Sequence, residues 1–200
     1  MRHLYKIALL ALLFSCVRAE AIEYNQVQAG QSALSFNYRQ MGVPLDGKFA
    51  KFSASVAFDP ANLGAAHARI DVSVASIDTG SPDANDEVIG KKWFDAKTYP
   101  LASFVSGEVK PLGNNRYQAT GKLTIKGKTL DIAAPVSFVQ QGNLGIFEGS
   151  FNIKRLSYAI GTGEWTDVST VADDVQIRFR LVTAASPAAP ISTQPKRKQP

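Results

Sequence analysis

Residues 121–138, GKLTIKGKTLDIAAPVSF, alternate between apolar and polar side chains. Leu123 and Ile125 are interleaved with Lys122, Thr124 and Lys126, and beyond Lys126-Gly127-Lys128 the alternation resumes through Leu130, Ile132, Ala134, Val136 and Phe138. A period of two on both sides of a glycine-containing turn predicts two antiparallel strands with one apolar and one wet face. The same period recurs along the chain. Leu34, Phe36 and Tyr38 alternate with Ser35, Asn37 and Arg39; Val56 and Phe58 follow; Ile70, Val72 and Val74 stand against Arg69, Asp71 and Ser73. Phe104 marks a strand near 101–109, and Tyr117 and Ala119 extend the first strand of the hairpin. Phe147, Phe151 and Ile153 share a face, and Val175, Ile177, Phe179 and Leu181 oppose Asp174, Gln176, Arg178 and Arg180. About eight strands, separated by turn signals such as LGNN and QGNLG and without a strand–helix rhythm, predict an all-β antiparallel barrel or sandwich. Pro135 within a strand predicts an edge or a bulge.

One stretch breaks the period. In SPDANDEVIGKKWFDAKTYP, residues 81–100, the acids come early and Lys91 and Lys92 late, as a helix dipole favours. Ala84, Val88, Ile89 and Trp93 give an approximate helical stripe, so a helix is predicted over about 83–93, with Ser81 or Asp83 as its cap. A helix of that length can close one end of a barrel.

The two ends of the chain differ in composition from its body. Arg2 and Lys6 precede the apolar run Ile7–Phe14, and Ala19 and Ala21 supply small residues for cleavage. Residues 1–21 therefore read as an export signal, too short to span a bilayer, which predicts a periplasmic or secreted protein. LFSC at 13–16 is similar to a bacterial lipobox, so a lipid anchor on Cys16 is the alternative; Phe14 fits that pattern poorly. Cys16 is the single cysteine, which leaves the body without a disulfide and dependent on its core. From Ala184 the chain is rich in Ala, Ser and Pro and ends STQPKRKQP, which predicts a disordered tail over 184–200 and a folded domain over 22–183. Three basic residues in that tail give at most a weak attraction to an anionic membrane.

Charge and chemistry exclude more than they assign. The net charge is +5, but Arg2, Lys6, Arg18, Lys196, Arg197 and Lys198 lie outside the body, as does Glu20, so residues 22–183 are formally neutral. A nucleic-acid binder would need a basic face. His67 is the only histidine outside the leader, which argues against a zinc or copper site. There is no GxSxG elbow, and GTGEW at 161–165 lacks the glycines and the lysine of a phosphate loop. Asp86-Glu87 and Asp173-Asp174 read as solvated charges. No catalytic residue, cofactor or metal ligand is assigned. What remains is a set of aromatics on the apolar strand faces, Phe36, Phe49, Phe58, Phe104, Phe138, Phe147, Phe151 and Phe179, mixed with Ala54, Ala119, Gly121, Ala134 and Gly149. Barrels of about eight strands are either packed or hold one apolar ligand, and the pattern leaves both open.

Several segments together resemble the YceI-like family: LSFNYRQMGVPLDGKFAKFSASVAFDP at 34–60, IDVSVASIDTG at 70–80, KKWFDAKTYPLASFVS at 91–106, YQATGKLTIKGKTLDIAAPVSF at 117–138, FEGSFNIKRLSYAIGTGEW at 147–165 and VQIRFRL at 175–181. The resemblance covers about 22–183. It implies an extended eight-stranded lipocalin-like barrel, a helical lid at one end and an elongated apolar pocket, in secreted or periplasmic proteins that bind without catalysis. The implied ligand is a polyisoprenoid, an isoprenoid quinone or a fatty-acid-like lipid, held for transport, storage or sequestration. Family members are often dimers, so a homodimer is one implied assembly. Candidate pocket residues on this reading are Phe36, Phe49, Phe58, Trp93, Phe94, Phe104, Phe138, Phe151 and Trp165. The family often carries His before the first-strand Ser and Arg-His after that strand; here Gln31-Ser32 and Arg39-Gln40 stand there. Arg39 is thus the candidate head-group contact, without its histidine neighbour. A structural or partner-binding β-domain with a packed interior, and an enzyme acting on a lipid, are the alternative readings.

Overall fold

The computed structural model describes residues 22–187; residues 1–21, with Cys16 and the expected export signal, and the residues beyond Pro187 lie outside the described residues. Eleven strands form one sheet: β1 (Ile22–Val27), β2 (Ala33–Gln40), β3 (Val43–Phe49), β4 (Phe52–Ala57), β5 (His67–Ser73), β6 (Ile77–Asp78), β7 (Leu101–Gly113), β8 (Arg116–Ile125), β9 (Lys128–Gln141), β10 (Leu144–Lys154) and β11 (Asp174–Pro187). Consecutive long strands pair antiparallel from β7 through β11, and β11 returns to β2.

The excess over eight strands comes from kinks and one extra strand. β3 and β4 are a single run bent at Ala50-Lys51, and β5 and β6 are a run bent at residues 74–76. Ala50 N donates to Ser76 O at 3.0 Å and Ser73 N to Lys51 O at 3.0 Å, which carries the pairing across both bends. Taken as bent strands, they complete a circuit of eight from β2 through β11 and back, the lipocalin-like barrel the sequence implies. β1 is the addition. It pairs with the last turns of β11, and Tyr24 bridges to Phe58 just past β4.

That pairing corrects one boundary. Ala184, Ala185, Ser186 and Pro187 are strand, opposite Gln26, Tyr24, Glu23 and Ile22, and not the start of a disordered tail. Small residues suit the place because Tyr24 fills the space above them, with Ala185 packed against its cluster. β3 also went unread, since Pro44 and Gly47 interrupt its apolar alternation. The edge reading of Pro135 holds on one side: the β9–β10 ladder ends at Val136–Gly149, one residue beyond it.

The helix is shorter than predicted. α1 spans Pro82–Val88, not 83–93. Gly90 stops it, and the chain then turns tightly, with Phe94 N to Val88 O at 3.0 Å, Asp95 N to Gly90 O at 2.8 Å and Asp95 in the left-handed region. Ser81 makes no side-chain cap. Asn85 instead reaches back, its Oδ1 accepting from Thr79 N at 2.7 Å and Thr79 Oγ1 at 2.8 Å, which fastens the helix to the end of β6.

Outward-facing charges pair across strands: Arg180 with Glu148 at 2.5 Å, Lys154 with Asp174 at 2.6 Å, Lys122 with Asp131 at 2.8 Å, and Arg178 with Asp46. All are exposed, so each contributes little stability, but together they keep the outer wall soluble and near neutral. Stability resides inside, and mostly at the two ends.

Candidate ligand-binding site

One end of the barrel is shut by aromatic side chains. Phe58 stands 5.2 Å from Tyr117, 4.9 Å from Phe138 and 5.1 Å from Phe147, centroid to centroid, and Tyr24 caps Phe138 at 5.1 Å. Edge-on and tilted rings at such spacings add to their area burial. The opposite end is covered by α1, the turn that carries Trp93 and Phe94, and the loop 155–173 between β10 and β11. Between the two ends the barrel is hollow, with a cavity of about 450 Å³. That lies within the range of sites for whole small ligands.

Its walls are apolar. Of the candidate pocket residues, Phe36, Phe49, Phe58, Trp93, Phe94, Phe104, Phe151 and Trp165 line it. So do Phe147 and Phe179, which that reading placed on apolar strand faces without assigning them to the pocket. Phe138 does not line the cavity; it continues the inward face of Ile132, Ala134 and Val136 but lies one rung beyond the floor, inside the aromatic plug. Arg39 is also misplaced as a head-group contact. Strand alternation puts it on the outer wall, exposed, with Nη1 donating to Gly42 O at 3.0 Å in its own hairpin.

Glycines on the inner wall make room for the lumen. Phe36 faces Gly47 across the β2–β3 ladder, and Phe179 faces Gly149 across β10–β11. A Cβ on Gly47 would lie 2.2 Å from the Phe36 ring, and one on Gly149 2.5 Å from the Phe179 ring, so both rings lie flat on the wall where a side chain would otherwise stand. Ala119 and Ala134, directly paired on β8 and β9, thin the wall further.

The polar lining is sparse. Gln40, His67, Thr79, Ser103, Ser106, Asp83, Glu87 and Arg155 reach the cavity, Asp83 and Glu87 from α1. His67 is exposed and its Nδ1 lies 3.1 Å from Ala65 O. Among the described residues no cluster of three or more His, Cys, Asp or Glu is arranged to hold a metal ion.

The principal residue that sequence reasoning missed is Arg155, which is 1% exposed. Its five N–H groups are all used on backbone carbonyls. Nε donates to Ala172 O at 3.0 Å, Nη1 to Ile160 O at 2.9 Å and Gly161 O at 3.3 Å, and Nη2 to Trp165 O and Val171 O at 2.7 Å each. The guanidinium also lies over the Trp93 ring, 5.5 Å from its centroid. Burial lowers its pKa, and the nearby Asp173 charge offsets only part of that shift. Arg155 is thus the hub that shapes the loop 155–173 and presses it on Trp93. The signal was in the register: Phe151, Ile153 and Arg155 share the inward parity of β10.

Further ties hold the lid in place. Gly161 N and Thr162 N donate to Lys92 O at 2.9 and 2.8 Å, Lys92 pairs with Glu164 at 2.5 Å, and Lys126 Nζ donates to Lys91 O and Ala159 O at 2.9 Å each. Partial burial lowers the Lys126 pKa.

Residues 25–183 match the YceI-like domain. The chain belongs to the YceI-like family. It is 50% identical to Burkholderia cenocepacia BcnA, whose crystal structure superposes with a TM-score of 0.77 over 78% of this chain and 99% of that one. A UPF0312 protein of Yersinia pestis (strain Pestoides F) is 29% identical over 175 residues, covering 84% of this chain and 88% of its own length. A polyisoprenoid binding domain from Saccharophagus degradans, implicated in plant cell wall breakdown, shares the fold with a TM-score of 0.59 at 18% identity, over 83% of this chain and 99% of that one. Within this YceI-like chain the hollow interior, the parked rings and the plugged end belong to one continuous domain.

Proposed function

We propose that this YceI-like protein holds a long apolar or amphiphilic chain inside its barrel, for transport, storage or sequestration in the periplasm, and performs no chemistry on it. The observation that carries the reading is the cavity: about 450 Å³, walled by aromatic and aliphatic side chains and closed at the floor by rings. A packed interior would not need glycines beside its rings on the wall, where Gly47 and Gly149 let Phe36 and Phe179 lie flat and leave the lumen open. The Saccharophagus domain of the same fold, described as polyisoprenoid binding, supports an isoprenoid as the chain. Each isoprene unit buries five carbons, worth about 4 kcal/mol gross at about 0.8 kcal/mol per carbon. Association and ordering costs take much of this, so a few units suffice for useful affinity.

The test is titration with a series of prenyl chains of increasing length, alongside mass spectrometry of the solvent extract of freshly purified protein. Affinity is expected to rise with length until the tube is full and then level. Ala134→Phe, which adds a ring to a buried lumen-facing site, is expected to displace about six ligand carbons, about 5 kcal/mol gross, and to weaken binding by roughly three decades while the fold persists. Flat affinity across lengths, or wild-type affinity in folded Ala134→Phe, refutes the tube.

A further inference from the structure

The barrel wall is unfastened along one stretch. The β9–β10 ladder runs from Gln141–Leu144 to Val136–Gly149 and stops there. Beyond it β9 continues to Lys128, paired only with β8, and β10 continues to Lys154, paired only with β11. Residues 128–135 and 150–154 thus face one another across a seam. Among the described residues no hydrogen bond or ion pair crosses it: Asp131 pairs back to Lys122 on β8, and Lys154 back to Asp174 on β11. Pro135, which has no N–H to give, stands where the ladder breaks. Residues 150–154, at about 3.4 Å each, make the seam about 17 Å long.

Solvent reaches the inner face there. Leu130 and Leu123 stand directly opposite on β9 and β8 and share the inward parity. Leu123 is 8% exposed, whereas Leu130, on the seam side, is 40% exposed. The side chains that edge the seam from within are all apolar: Leu130, Ile132 and Ala134 from β9, Phe151 and Ile153 from β10, all but Leu130 lining the cavity. The wall's other short pairing, two rungs between β3 and β6, is filled, since Val88 and Phe94 pack against Phe36, Val74 and Ile77. Both ends of the barrel are fastened as well, the floor by its interlocked rings and the lid by the five donors of Arg155. At the seam one hydrogen bond has to part. Lys126 Nζ, at the tip of the β8–β9 turn, donates to Ala159 O beyond β10 at 2.9 Å and latches the lid end of the slot.

On the carrier reading above, we propose that an apolar chain enters and leaves the lumen sideways, through the β9–β10 seam, while the lid and the aromatic floor stay shut. The seam is a slot bounded by the ladder at Val136–Gly149 and by the Lys126 latch. A long chain passes it broadside, its carbons meeting Leu130, Ile132, Phe151 and Ile153 as they leave their former apolar surroundings. Entry past the lid would instead thread the chain end-on through the ties around Arg155. The face that bears β9 and β10 is therefore the one that a donor of the chain meets.

The test staples one route at a time in the full chain carrying Cys16→Ser, which removes the single native thiol. Continuing the register of Gly149 and Val136 sets Asn152 opposite Ala133, both exposed. Ala133→Cys with Asn152→Cys, joined by a short bismaleimide, bridges the seam. Lys92→Cys with Glu164→Cys, joined by the same reagent, bridges the lid in place of its ion pair. The probe is cis-parinaric acid, followed in stopped flow by energy transfer from Trp93 and Trp165, which line the cavity. Bridging the seam is expected to slow association and dissociation by about tenfold or more each, so that affinity changes little, and bridging the lid to leave both rates within about twofold. Lys126→Met, which removes the latch, is expected to speed both rates in the unbridged chain and to change neither once the seam is bridged. The portal is overturned, while the tube stands, by a seam bridge that leaves the rates unchanged or slows association alone. A lid bridge that slows them as much, or a Lys126→Met gain that survives the seam bridge, overturns it equally. Wild-type protein that takes up no probe overturns the carrier reading and the portal with it.

Discussion

Replacing Arg155 separates a structural hub from a ligand contact. Arg155→Met keeps the length and apolar stem of the side chain and removes five donors. The five carbonyls left behind, on Ile160, Gly161, Trp165, Val171 and Ala172, span almost the whole loop between β10 and β11. An orphaned buried acceptor costs about 1 kcal/mol or more, which gives about 5 kcal/mol gross. Methionine offsets part of this because it no longer carries a charge out of water. A net loss of about 3 kcal/mol is expected, a fall of about 6–12 °C in melting temperature for a domain of this size. Arg155→Lys is expected to be no better: it retains a charge that is more strongly hydrated, has three donors in place of five and lacks the planar fork. The measurements are thermal melts followed by circular dichroism and the fluorescence of Trp93 and Trp165, which would report a loosened lid. A Tm within about 2 °C of wild type in Arg155→Met would show that the loop is held by its other contacts, and the hub argument would fail.

Gly47→Ala places a Cβ 2.2 Å from the Phe36 ring with no backbone atom in the way, so the ring must leave the wall; chain-length titrations are expected to level off at a shorter prenyl chain, and Phe36→Leu in the same protein is expected to restore the longer one. A chain ending at Thr183 loses the partners of Ile22, Glu23, Tyr24 and Gln26 and is expected to melt several degrees below a chain ending at Pro187; equal melting temperatures would mean that β1 closes nothing.

The sequence made the faces legible and the heights illegible. Strict alternation placed Phe36, Phe104, Ile132, Ala134 and Phe151 inward, and the structure has them there, because a one-residue slip would turn a whole strand inside out. Alternation says nothing about position along the barrel axis, which is why Phe138 was assigned to the pocket and lies in the plug. Arg39 was read through resemblance against its own parity, since it alternates with Phe36 and Tyr38. Arg155 erred the other way: its parity is inward, but a cation after FNIK looks like the solvated end of a strand. Only tertiary contacts supply the five carbonyls that make its burial tolerable. β3 and β6 were hidden because the bends at Ala50-Lys51 and at 74–76 cut two long strands into short pieces without a full period. The residues 184–187 were hidden because small side chains carry no face of their own, and here Tyr24 provides it.

A hollow barrel cannot draw its stability from the middle. The rings of Phe36 and Phe179 lie against glycines on the wall, not against one another across the lumen. The dense contacts gather at the floor, where five aromatics interlock, and at the lid, where Arg155, Lys92 and Lys126 tie loops together. Substitutions at the two ends therefore bear mainly on folding, and substitutions at mid-height, such as those at Gly47 and Ala134, bear mainly on what the tube accepts. Trp93 and Trp165 are the exception because they belong to both regions. They pack as part of the lid, and their rings also line the cavity. A lid built this way is expected to be tighter when loaded than when empty, since a bound chain packs against the same two residues that Arg155 holds.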